Sequence, residues 1–324
     1  MEYKIIATLG PSSNSPLMWE AMLAAGVDAF RLNTSHLSLD ELETWLEHIQ
    51  AFTNTLEPHP PLILDLQGSK WRLGQFATFD LQPGQKVQLV SASSSQQNNV
   101  LPVPHLDFFS AASLSSGEIV LNDAKTRMKL ESIEPGAITA TVTLGGTISA
   151  NKGITFTDSE YRIEALNEKD QAIIDKTRRL GFIRYAISYI KDAAEMLQYR
   201  ALMGASSHLI AKLERQPAIN EAAQIADIAD ELWLCRGDLG AELGMKDMAE
   251  AVYQFSQRLR EYAVPVYLAG QVLEHLTLHQ TPTRSEVCYL YDTIQKGYRG
   301  LVLSDETAIG KDPISACLNA AMFK

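Results

Sequence analysis

Short runs of β-branched and apolar residues recur along the chain, each followed by a stretch whose apolar positions repeat at helical spacing. Eight such runs stand out: Lys4–Gly10, Ala29–Thr34, Leu62–Gln67, Tyr185–Tyr189, His208–Glu214, Glu231–Gly237, Pro265–Gly270 and Gly300–Asp305. Their near-continuous apolar character, as in Leu62-Ile-Leu64 and Leu301-Val-Leu303, predicts parallel strands covered on both faces. The segments between them carry helix signals. Ser15-Pro16 is an N-cap followed by proline, with Gly26 at the far end; Ser38-Leu-Asp-Glu41 is a capping box ahead of a Leu42/Trp45/Leu46/Ile49 stripe. Asn167 opens a further segment that closes near Gly181. Eight strands alternating with helices predict an α/β fold, a (β/α)8 TIM barrel, with a doubly wound open sheet as the alternative.

One stretch breaks the rhythm. From Arg72 to about Phe156 the helical period gives way to alternation, in Lys86–Val90, Glu118–Leu121, Met128–Leu130 and Ala137–Val142. Turn signals at Pro83-Gly84, Pro135-Gly136 and Gly145-Gly146 separate these runs. The pattern predicts a small, mostly antiparallel, barrel-like β domain over residues 73–156, inserted after the third strand; the barrel then comprises residues 1–72 and 157–324. An insertion there leaves the barrel at the C-terminal ends of its strands, where such folds place chemistry, so a lid is expected. An ornamental insertion away from the site is the alternative.

Charge narrows the function. With 28 Lys+Arg against 39 Asp+Glu the formal net charge is −11, which argues against a nucleic-acid-coating protein, since phosphate backbones demand a basic face. Cys235, Cys288 and Cys317 are an odd set without metal-ligand spacing and fit a reducing compartment. Neither a signal peptide nor an 18-residue apolar span is read at the start of the chain or within it, so a cytoplasmic protein without a membrane partner is expected.

Polar residues gather at the ends of the apolar strands: Thr8, Asn33, Asp65, Lys212, Glu214, Asp238 and Ser304. Core packing does not account for them, because each needs a partner once buried. Lys212 and Glu214 lie two apart on one strand and so face one side. A carboxylate beside an ammonium can hold Mg²⁺ while the lysine stabilises charge on a transferring group; a structural ion pair is the plainer reading. In Arg236-Gly-Asp-Leu-Gly240, Asp238 is a candidate second metal ligand, and the glycines let backbone N–H groups approach an anion. Arg31 and Arg72, beside strand ends, are candidates to neutralise phosphate. His275 and His279 have the i,i+4 spacing of zinc ligands but no further ligand, which favours a solvated helix face. Cys235, inside a strand, reads as a small buried side chain.

Taken together, these residues resemble the pyruvate kinase family over nearly the whole chain. The motifs are Ala7-Thr-Leu-Gly-Pro11, Phe30-Arg-Leu-Asn-Thr-Ser-His36, Leu64-Asp-Leu-Gln-Gly68, Asn151-Lys-Gly153, Ile210-Ala-Lys-Leu-Glu214 and Cys235-Arg-Gly-Asp-Leu-Gly240. Gly270-Gln-Val-Leu-Glu274, Pro282-Thr-Arg284 and Leu303-Ser-Asp-Glu-Thr-Ala308 continue the series. The resemblance implies a barrel with a mobile lid, and transfer of a phosphoryl group from phosphoenolpyruvate to ADP followed by protonation of the enolate. It implies Mg²⁺ (or Mn²⁺) on Glu214 and Asp238, and Lys212 stabilising the phosphoryl group and the enolate. Arg31 would bind phosphate with support from Arg72, and Gly237 and Asp238 would offer backbone N–H groups to the substrate carboxylate. Ser304 and Gly270 fall at the reacting end, Asn33, Ser35 and Asp65 at the monovalent-cation pocket, Pro11, His36 and Lys152 near the ADP/ATP nucleotide, and Asp123 on the lid. The Pro282-Thr-Arg284 motif resembles one near the family's subunit contact and suggests a homo-oligomer.

Four departures shape the expected function. The matching sequence ends one helix beyond Ser304, so the family's C-terminal effector domain, and sugar-phosphate control with it, is not expected. Leu66-Gln-Gly-Ser-Lys70 is similar to the potassium-independent kind of member, with the Lys70 ammonium in place of K⁺. Asn151 replaces the first of two lid lysines, leaving Lys152. Gly270 stands where the family has the threonine implicated in protonating the enolate. The expected activity is a Mg²⁺-dependent phosphotransferase acting on phosphoenolpyruvate/pyruvate or on a related small 2-keto or 2-hydroxy acid. A metal–enolate lyase or aldolase, or a regulatory binding protein, is the alternative.

Overall fold

The computed structural model describes residues 2–68, 71–114, 117–121, 125–157 and 166–324. They form two compact units, one of residues 1–68, 166–236 and 251–324, the other of residues 69–165 and 237–250. Sequence analysis had placed 237–250 with the barrel.

In chain order the first unit contributes strands β1 (Lys4–Thr8), β2 (Ala29–Asn33) and β3 (Leu62–Leu66). The second contributes β4 (Phe79–Leu81), β5 (Lys86–Val90), β6 (Val100–Pro102), β7 (Glu118–Leu121), β8 (Thr126–Glu134), β9 (Ala137–Leu144), β10 (Gly146–Ile148) and β11 (Ile154–Phe156). The first unit resumes with β12 (Ile183–Ile187), β13 (His208–Leu213), β14 (Glu231–Cys235), β15 (Val266–Ala269) and β16 (Gly300–Leu303). Its eight strands close into an all-parallel barrel in the order β1-β16-β15-β14-β13-β12-β3-β2. Each run read as a barrel strand from the sequence forms one.

Alternation along these strands decides what faces the barrel axis. Ile6, Ala29, Ile63, Ala186, Ile210, Trp233 and Val302 pack as one buried interior cluster. The residues two positions further along β1, β2, β3, β12, β13 and β16 are Thr8, Arg31, Asp65, Ser188, Lys212 and Ser304. The apolar interior therefore passes into a polar layer at the C-terminal ends.

The helices start where their caps predict. The Ser15 side chain accepts from Met18 N ahead of Pro16–Ala24, and Ser38 and Glu41 form the capping box of Leu39–Thr53. Asn167 caps Glu168–Thr177. No helix among the described residues is long and apolar enough to cross a membrane.

The second unit holds a six-stranded sheet, β11-β7-β8-β9-β5-β6, and a two-stranded ribbon, β10-β4. Pairing is antiparallel except between β5 and β6. The alternation missed one short helix, Leu106–Ala111, which buries Phe108 and Phe109. Phe108 stacks on Phe156 and meets Trp71 edge-on, so a helical turn closes an aromatic core that strands alone do not fill.

Candidate active site

The polar layer of the barrel unit is a buried charge network. Asp65, on β3, is its centre. Its Oδ2 accepts Nε and Nη2 of Arg31 at 2.8 and 2.5 Å. Its Oδ1 accepts Lys212 Nζ at 3.1 Å and the Ser188 hydroxyl at 3.0 Å. Lys212 Nζ also donates to Ser188 Oγ at 2.8 Å and pairs with Glu214 Oε1 at 2.9 Å. The outer members are anchored in turn: Arg31 Nη1 donates to Thr8 Oγ1, Thr8 donates to the Leu303 carbonyl, and Glu214 Oε2 accepts Tyr189 N, each at 2.7 Å. Side-chain exposure is 11% or less for Arg31, Asp65, Lys212 and Glu214.

The electrostatics follow from that closure. Burial alone would drive the Lys212 ammonium toward neutrality, but the Asp65 and Glu214 carboxylates outweigh it and hold the pKa above the ordinary lysine value. Burial opposes ionisation of Asp65 as well; Lys212 and Arg31 prevail and keep its carboxyl below the usual range. Lys212 is thus a permanent cation, suited to stabilising developing negative charge rather than to carrying protons near neutrality. Cys235, at the end of β14, is a buried thiol pushed well up by burial and by the Glu214 charge, as a packing residue should be.

The loop after β15 begins at Gly270. Gly270 and Gln271 have φ of +83° and +54°, both left-handed. Arg236 clamps this turn, donating to the Gly270 carbonyl from Nε at 3.0 Å and Nη2 at 2.5 Å and to the Gln271 carbonyl at 2.9 Å. A β-branched residue rarely adopts such a φ. Glycine here permits a backbone conformation that a β-branched residue would strain. Next to it, the buried Glu306 carboxylate accepts Ser304 N at 2.7 Å and Leu273 N at 3.1 Å and so fixes the loops after β15 and β16 together. Burial pushes that carboxyl up, against those hydrogen bonds.

The remaining expected residues are distributed as follows. Asn33 Oδ1 accepts Ser35 N in the turn after β2, and the Thr34 hydroxyl donates to the Asp65 carbonyl. Asp65, expected to line a monovalent-cation pocket with Asn33 and Ser35, has its carboxylate on Arg31, Lys212 and Ser188. Lys169 donates to the Thr34 carbonyl at 2.6 Å, a cation at this turn that sequence reasoning overlooked. Pro11 and His36 are exposed in short turns of the barrel unit. Lys70 and Asp123 lie outside the described residues. In the second unit Arg72 donates to the Asn151 carbonyl at 3.1 Å and bridges to Gly153, and the Lys152 carbonyl accepts Leu73 N. Gly237 and Asp238 occupy the first turn of the helix Arg236–Gln257, whose N-terminus has no side-chain cap. His275 and His279 do not share a helix face: Glu274–Thr277 is a 3-10 turn, and the two rings stack at 3.9 Å.

Among the described residues no three His, Cys, Asp or Glu side chains gather into a metal cage. Magnesium needs none, since it is commonly held by one or two carboxylates together with substrate oxygens and water. Glu214, a buried hard-oxygen donor beside a fixed ammonium, fits that pattern.

The model for the barrel domain of pyruvate kinase matches residues 1–317. The chain belongs to the pyruvate kinase family. Among its relatives, a pyruvate kinase of Agrobacterium vitis is 31% identical over 316 residues, covering 97% of this chain and 65% of the relative. The pyruvate kinases of Methylorubrum extorquens and Thermococcus litoralis are each 30% identical, over 315 and 319 residues, with 97% of this chain and 66% and 67% of theirs covered. The chain spans about two-thirds of the length of these pyruvate kinases. Within the family frame, Ser188, Thr8, Arg236 and Glu306 are the supporting residues that sequence reasoning left without a role. Ser188 was recoverable, since it sits two beyond Ala186 on the inward parity of β12.

Proposed function

We propose that the chain is a pyruvate kinase-like phosphotransferase, moving a phosphoryl group between ADP/ATP and phosphoenolpyruvate/pyruvate or a related small 2-keto or 2-hydroxy acid. One observation carries this reading: the buried Arg31–Asp65–Lys212–Glu214 network at the C-terminal ends of the barrel strands. Two carboxylates hold two cations at one end of the barrel, where a transferring phosphoryl group needs positive charge already in place. Arg31 commits its fork to Asp65 and one N–H to Thr8, and its other N–H groups serve a phosphate oxygen. Lys212 hydrogen-bonds to Asp65 and Ser188 and pairs with Glu214, so a substrate oxygen displaces the Ser188 hydroxyl, the neutral partner and the cheapest to exchange.

Glu214 and Asp238 would hold Mg²⁺, which supplies Lewis-acid neutralisation of the phosphoryl and carboxylate oxygens. The uncapped first turn of Arg236–Gln257, with the Gly237 and Asp238 amides, would receive the substrate carboxylate. Arg72, Lys152 and Asp123 would contribute from the inserted domain, and Lys70 would replace K⁺.

The left-handed turn at Gly270–Gln271 supports a preference within this class. Phosphorylating the hydroxyl of a 2-hydroxy acid needs no proton delivered to carbon, whereas forming pyruvate does. Phosphorus NMR tests both arms, in potassium-free buffer with Mg²⁺: first ADP with phosphoenolpyruvate, then ATP with a panel of 2-keto and 2-hydroxy acids. A new phosphate resonance in either arm is expected. Silence in both, with Mg²⁺-dependent ketoacid binding retained, would overturn phosphoryl transfer in favour of lyase chemistry.

A further inference from the structure

The N-terminal end of the same barrel carries an unassigned cavity of about 460 Å³, lined in part by His59, Pro61, Phe182, Arg184, Ser206 and His208. Arg184 and His208 are register partners on β12 and β13. Each lies two residues before an interior side chain, Ala186 and Ile210, so alternation turns both toward the barrel axis. On β12, Arg184 is four residues from Ser188, which puts this cavity roughly 13 Å along the strand from the charge network.

Two groups here lack a hydrogen-bond partner. Arg184 forms no ion pair or hydrogen bond among the described residues. His208 Nε2 is buried without a hydrogen bond. It pairs with the buried Glu231 carboxylate at 3.8 Å through Oε2, beyond hydrogen-bond reach, while Glu231 Oε1 accepts the Trp233 indole N–H at 2.5 Å. His59 Nδ1 donates to the Thr53 carbonyl at 2.6 Å, which fixes its tautomer. A guanidinium without a counter-ion beside an unsatisfied imidazole nitrogen is satisfied by an oxyanion, which both bind by charge-assisted hydrogen bonds. The volume lies in the small-molecule range and exceeds what a bare phosphate fills, with Pro61 and Phe182 offering apolar wall.

We propose that this cavity binds a small phosphomonoester, its phosphate on Arg184 and His208 and its organic part against Pro61 and Phe182. The proposal is independent of the reaction assigned to the other end.

Calorimetric titration of the full chain tests it, with inorganic phosphate, glycerol 3-phosphate and glycerol as probes. Wild type is expected to bind glycerol 3-phosphate at least fivefold more tightly than inorganic phosphate, and glycerol not at all. Arg184→Gln, and separately Ser206→Asp at the exposed rim where folding is not at stake, should each weaken glycerol 3-phosphate at least tenfold. Lys212→Met should retain that binding, because it alters only the far end. Unchanged affinity in Arg184→Gln and Ser206→Asp, or loss of all binding in Lys212→Met, would overturn the site. Equal affinity for the two phosphate probes would overturn the phosphomonoester.

Discussion

Lys212 is held by two carboxylates and a hydroxyl, and the two carboxylates are the reason it stays charged despite its burial. Lys212→Met keeps the length of the side chain and removes the charge, leaving Glu214 buried without its cation. Turnover is expected to fall at least a hundredfold, the scale of a lost electrostatic stabiliser, with Mg²⁺ binding retained. Steady-state kinetics and Mn²⁺ paramagnetic titration of the variant check it; turnover equal to wild type would refute the role. Position 270 makes a contrasting case. A missing hydroxyl alone would be repaired by Gly270→Thr, but φ of +83° at Gly270 strains any β-branched replacement. The variant is expected to lose about 1–3 kcal/mol of stability, read by denaturant unfolding, and to gain no pyruvate-forming activity. A gain in that activity would show that the Arg236-clamped turn relaxes to accept threonine.

At the scale of elements, the barrel was legible because six of its eight strands, β1, β2, β3, β12, β13 and β16, repeat one rule, an apolar inward residue with a polar one two positions further on. Ala186 and Ser188 obey it as plainly as Ile210 and Lys212, although Ser188 was not among the strand-end candidates. The Leu106–Ala111 helix was illegible for the opposite reason: it is too short to show a period, and its place is set by the aromatic contacts of Phe108 with Trp71 and Phe156. The turn at Gly270–Gln271 was likewise beyond sequence reasoning, since a glycine announces permission for positive φ and not its use. Pro282-Thr-Arg284 also has a local explanation. Thr283 caps the helix Arg284–Lys296, accepting Glu286 N at 3.1 Å, while Glu286 accepts Thr283 N at 2.7 Å and His275 N at 2.9 Å. Thr283→Ala is expected to cost about 1 kcal/mol of unfolding free energy. A change below a few tenths would mean that the cap is not what holds this helix start.

For the molecule as a whole, the charge network makes stability depend on pH in a way the two depressed and raised groups dictate together. Asp65 has its folded pKa below the ordinary aspartate value of about 3.9, so its contribution is complete above that value and is lost as pH falls through the lower, folded one. Lys212 has its folded pKa above the ordinary lysine value of about 10.4; its contribution is complete below that value and is lost only as pH rises through the higher, folded one. Between roughly pH 5 and 9 neither changes charge. Asp65→Asn leaves Arg31 and Lys212 without their shared carboxylate and is expected to cost about 3–5 kcal/mol, the scale of a broken buried pair. The informative quantity is the wild-type minus Asp65→Asn difference, because acids elsewhere in the chain cancel from it. Measured by thermal unfolding across pH, that difference should be flat from about pH 5 to 9 and should shrink only below about pH 4. A difference that already shrinks between pH 7 and 5 would mean that Asp65 protonates near neutrality, and a carboxylate doing so could not keep two cations fixed at the end of the barrel.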